Sequence, residues 1–151
     1  MKNFLSSVLL LVGLVAATSC KKSDSTPSDP GPPIIGNLDG TQQVPMVTSN
    51  ARGVITGTLD KASNTFRYSV SFTSLTPMGA HFHIGAPGVN GPIVIDLPKN
   101  NPAQDGYVSP IAGTYILSPA NAAALVSNGL YVNLHTMAYP GGEIRGNITI
   151  K

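Results

Sequence analysis

At 151 residues the chain is sized for one domain, and its charge of +2, with 9 basic and 7 acidic residues, is nearly balanced. No basic cluster interleaved with aromatics occurs, which argues against a nucleic-acid partner. The single cysteine excludes an internal disulfide, and 16 Gly with 13 Pro and no Trp suit short strands joined by many turns.

The N-terminus reads as a targeting segment. Lys2 precedes an apolar stretch over residues 4–17, too short for an ordinary membrane span, and Ala17-Thr18-Ser19 leads into Cys20. This arrangement resembles a bacterial lipoprotein signal, with residues 1–19 removed and Cys20 lipidated. Ala17 stands where Leu is usual. The resemblance implies a protein of the cell envelope, held on a membrane through acyl chains at Cys20. Its facing and leaflet are left open, as is an extracellular or periplasmic protein or ligand as partner. Residues 20–36, with four prolines among Ser, Thr and Asp, read as a disordered tether. Fully stretched, the tether reaches roughly 50 Å.

From residue 37 to residue 151 the pattern is that of one all-β domain. Residues 38–45 form a first expected strand, 52–59 a second and 65–75 a third. The third is the clearest, because Phe66, Tyr68, Val70 and Phe72 alternate with polar residues. Residues 79–85 follow, then a Gly- and Pro-rich loop, an apolar run at 93–97 and an extended stretch at 107–117. One helix is expected after Ser118, with Ser118 as N-cap, Pro119 at the first position and Asn128-Gly129 at the C-terminus. Residues 129–136 form the next strand, and Tyr139-Pro140-Gly141-Gly142 turns the chain into a last one over 143–150. Seven to nine short strands with one short helix in a crossover predict an antiparallel β-sandwich of Ig-like or Greek-key type.

Histidine placement is the main chemical signal. In Ala80-His81-Phe82-His83-Ile84 the apolar residues share one strand face and the imidazoles the other. His135 sits with Tyr131 and Asn133 opposite Leu130, Val132 and Leu134. With the apolar faces inward, all three histidines gather on a polar surface outside the sandwich. A His-x-His pair plus a distant His can present three neutral nitrogens to Zn or Cu. Polar residues on a solvated sheet face are the plainer alternative. Glu143 and Arg145 join that face if the last two strands form a hairpin. Glu143 is then a candidate ligand or an orienting group, and Arg145 a structural partner or ligand contact.

Several stretches together resemble the CHRD domain family: residues 38–45, Gly79-Ala80-His81-Phe82-His83-Ile84-Gly85 with Gly88, Gly91 and Pro92, residues 128–136, and residues 140–148. The resemblance implies an extracytoplasmic β-sandwich and little mechanism. A weaker likeness to Cu/Zn superoxide dismutase lacks the histidines for two metals and the disulfide. No Gly-x-Ser-x-Gly, P-loop or catalytic cysteine is present. The expected function is therefore a membrane-anchored, non-catalytic binding or interaction module with a three-histidine metal site. A Zn- or Cu-dependent enzyme or metal carrier using His81, His83 and His135 is the alternative.

Overall fold

The structure, a computed structural model, describes residues 30–151. The signal segment, Cys20 and most of the tether lie outside the described residues. The alternation in β3 (Thr65–Thr73) buries Phe66, Tyr68, Val70 and Phe72 on one face. That face meets Ala80 and Phe82 of β4 (Gly79–Ile84), which belongs to the opposing sheet. Phe82 packs edge-on against Phe66 at 5.4 Å and Tyr68 at 5.0 Å between ring centroids, so the two layers lock through an aromatic cluster. Two antiparallel sheets result, as the period-2 pattern predicts.

The first sheet has the order β6-β3-β2-β1-β9 and the second β5-β4-β7-β8. The remaining strands are β1 (Pro33–Leu38), β2 (Arg52–Asp60), β5 (Ile93–Asp96), β6 (Ile111–Ile116), β7 (Leu130–His135), β8 (Ile144–Asn147) and β9 (Thr149–Ile150). Helix α1 (Pro119–Val126) carries the chain from β6 in the first sheet to β7 in the second. Its start follows the sequence signals: Ser118 Oγ accepts from the Asn121 amide, and Pro119 opens the first turn. Ala122 and Leu125 are its buried residues. Asn128 beyond its end takes φ +59°, the left-handed conformation that stops a helix. Among the described residues no helix is long and apolar enough to cross a membrane.

Three boundaries differ from the sequence expectation. Strand β1 begins at Pro33, inside the stretch whose composition suggests a tether, and it buries Ile34 and Leu38. The strand expected over residues 38–45 stops at Leu38, where Asp39 takes the Thr41 and Gln42 amides at 2.8 and 3.2 Å and a short 3-10 turn follows. That carboxylate offers the backbone an alternative to the sheet ladder. The last expected strand is two strands. Residues 144–147 pair with β7, whereas Thr149 and Ile150 pair with β1 in the other sheet, and buried Ile148 marks the crossing.

Candidate metal centre

Strands β4 and β7 are antiparallel neighbours with Gly79 opposite His135, His81 opposite Asn133 and His83 opposite Tyr131. His135 is therefore diagonal to His81, on the same face. Glycine at 79 makes room for both rings. A Cβ there would lie 3.3 Å from His81 Cε1 and 3.6 Å from His135 Cβ. The ring centroids of His81 and His135 are 4.9 Å apart, those of His81 and His83 5.8 Å, and those of His83 and His135 6.2 Å. One nitrogen from each of the three lies within 4.8 Å of the others. The apolar partners face inward as expected, with Phe82 and Leu134 fully buried.

Contacts at the back of the rings, hydrogen bonds for two of them, decide which nitrogen each has to offer. His83 Nδ1 is 3.0 Å from the Gly91 carbonyl and His135 Nδ1 is 2.9 Å from the Pro140 carbonyl. A carbonyl only accepts, so both Nδ1 atoms carry the proton and both Nε2 lone pairs are free. His81 Nε2 lies 3.5 Å from Asp96 Oδ1, which leaves Nδ1 as its free atom. The same three atoms, His81 Nδ1, His83 Nε2 and His135 Nε2, are shut off from solvent without a hydrogen-bond partner. Outer partners that hold the tautomer while the inner nitrogen stays bare are the arrangement metal-binding histidines require.

Burial, the largest cause, holds the His81 and His83 pKa values below the ordinary imidazole value. For His81 the neighbouring His135 and His83 add to the depression and Asp96 opposes it. For His83 the bond to Gly91 opposes the effect of burial, while His135 and Arg145 reinforce it. Neutral imidazole is the ligating form.

The polar face is not open to solvent, contrary to the sequence expectation. Tyr131, Asn133 and Arg145 are buried, and His83 is only 8% exposed. Loops roof them. Gln43 Nε2 donates to Asn133 Oδ1 at 2.6 Å, and Asn133 Nδ2 reaches the Gly141 carbonyl at 3.4 Å, tying two loops to β7. Arg145 donates to the carbonyls of Ala86 and Val89 and to Asn90 Oδ1, holding down the loop that follows β4. Its guanidinium carbon sits 3.4 Å from the Tyr131 ring centroid, and Tyr131 stacks on His83 at 4.8 Å with 7° between planes. The Tyr131 hydroxyl accepts from the Gly91 amide at 3.1 Å, so ring and loop position His83 together.

Glu143 is placed apart from the trio. Its two carboxylate oxygens accept from Ser49 Oγ at 2.6 Å and Thr136 Oγ1 at 2.7 Å. Sequence reasoning missed Gly91, Pro140 and Asp96, the groups that orient the rings. Pro140 and Gly91 were legible only as turn residues, since a backbone carbonyl leaves no trace in residue identity. Asp96 sits opposite His81 through β5 pairing, a register that hydrophobic patterning does not specify.

Fold and site define an all-β sandwich with a histidine cluster under its loops. The CHRD domain family model matches residues 35–148, and the chain belongs to that family. No curated protein and no solved structure matches it.

Proposed function

We propose that this protein is a lipid-anchored, extracytoplasmic CHRD-domain module that binds Zn or Cu through His81, His83 and His135 and acts by binding rather than catalysis. One observation carries the reading: three clustered imidazoles each keep a solvent-shielded nitrogen without a partner, on a ring whose other nitrogen is contacted from behind. A buried polar atom left unpaired costs about 1–3 kcal/mol. Three at one point are accounted for by a shared ligand. A first-row ion bound at about 2.0–2.1 Å wants its nitrogens roughly 3.3 Å apart, so the rings close slightly on binding. Glu143, the one acidic candidate for a base, has both oxygens engaged by Ser49 and Thr136.

The anchoring half of the proposal rests on Lys2, the apolar stretch over 4–17 and Ala17-Thr18-Ser19-Cys20. The test is the metal content of the untagged full-length protein, extracted in detergent after loading. One equivalent per chain is expected, falling to background in the folded triple variant His81→Ala, His83→Ala, His135→Ala. Equal metal in the triple variant would refute the site. Incorporation of labelled palmitate, abolished by Cys20→Ser, tests the anchor separately.

A further inference from the structure

Building on the metal site proposed above, we infer that the ion is copper and that the protein holds it in the cuprous state, with buried Arg145 as a positioning charge that disfavours the cupric one. The donor set is the first reason. Three imidazoles are neutral, and among the described residues no other cluster of His, Cys, Asp or Glu is suited to a metal. Neutral donors leave the full ionic charge inside the protein, and the cost of burying charge rises with its square. A monovalent ion is therefore far less expensive to shield there than a divalent one.

Local charge acts in the same direction. Glu143 is bound to Ser49 and Thr136, and the Asp96 side chain beside His81 is 83% exposed, where water screens it. Arg145, by contrast, is fully buried and remains a cation at any physiological pH. The acceptors of its guanidinium NH1 and NH2 groups are all neutral: two carbonyls and an asparagine oxygen. Among the described residues Lys99–Asp105 is the ion pair and Asp96 otherwise lies beside neutral His81, so no carboxylate cancels Arg145. Its charge stacks on Tyr131, which stacks on His83. A fixed positive charge one ring away from a ligand repels a doubly charged ion more than a singly charged one.

Coordination number is the third reason. Three donors complete the trigonal shell that Cu(I) accepts, whereas Cu(II) prefers a tetragonal set and Zn(II) a fourth ligand. The redox step itself is one electron: bound Cu(II) takes it from an external reductant such as ascorbate, any solvent ligand leaves, and the three Cu–N bonds persist.

The experiment measures dissociation constants of full-length protein for Cu(I), in ascorbate with bicinchoninate as competitor, and for Cu(II) and Zn(II) with competing chelators. Cu(I) bound at least 100-fold more tightly than Cu(II) is expected, which places the potential about 120 mV or more above that of unbound copper at 59 mV per decade. In Arg145→Gln that preference falls about tenfold, whereas Arg145→Lys, which keeps the charge and loses the fork, retains it. Loss of the preference in both variants would instead make Arg145 a purely structural clamp. Should Arg145→Gln fail to fold, the wild-type affinities and the lysine variant decide. Tight Zn(II) or Cu(II) with weaker Cu(I) overturns this inference and leaves the metal site standing. Binding of no metal at all removes both.

Discussion

Loading the histidine cluster is expected to raise the unfolding temperature by about 12–16 °C. One nitrogen of each histidine lies within 4.8 Å of the others, each ring has an unpartnered buried nitrogen, and loops already roof the face, so little ordering remains to oppose binding. A ligand at 1,000 times its dissociation constant stabilises the folded state by about 4 kcal/mol. For a domain of this size each kcal/mol moves the midpoint by about 3–4 °C. The assay is thermal unfolding by circular dichroism with Zn(II), Cu(II) or ascorbate-reduced copper added, each reversed by a chelator. The triple alanine variant provides the comparison and should show no shift. A change below about 2 °C with every ion, or the same rise in the triple variant, would refute the reasoning.

Further expectations address the core, the loop and proton linkage. Phe82→Ala removes a fully buried ring packed against Phe66 and Tyr68 and should cost about 3–5 kcal/mol by urea unfolding. Gly91→Ala places a Cβ against the Ile84 backbone, with its carbonyl carbon 2.8 Å away, and must shift the loop. Since the Gly91 carbonyl orients His83, metal affinity should fall about 10–100-fold by chelator competition. Asn133→Leu strands the buried Gln43 amide and should destabilise by about 1–3 kcal/mol in the same unfolding assay.

The pH dependence has a definite sign. His81 and His83 have pKa values lowered in the folded state, so the unfolded chain takes up protons first as pH falls. Metal-free stability should be flat above pH about 6.5 and decline as pH drops below it towards the depressed values. The triple alanine variant should lose that portion of the decline in unfolding titrations between pH 5 and 7.5.

Where local pattern and tertiary structure coincide, residue identity was enough. Phe66 through Phe72 alternate because one face of β3 packs on the other sheet, and Ser118-Pro119 opens a helix by bonding only its own next turn. The shared parity of His81, His83 and His135 was legible for the same reason. Less legible was anything that depends on a distant segment. The roof over β7 comes from Gln43, Ala86, Val89 and Asn90, and a strand pattern cannot say that a polar face is covered. Arg145 reads as a surface residue on alternation alone. Its burial follows from carbonyls more than fifty positions away. The split at Ile148 was equally hidden, because a strand that changes sheets keeps an unbroken apolar rhythm across the step.

That step has a consequence for how the domain assembles. Ile34 lies beside Ile150, so a pairing near the front of the domain waits for one near its back. The intervening stretch is one of the longest loops the domain has to close, and distant closures of this kind slow the search for the native state. Until β9 docks, β1 is held by β2 alone along one side, and its open flank is an invitation to mispairing with another copy. Refolding yield should therefore fall with concentration sooner than the modest size of the domain suggests.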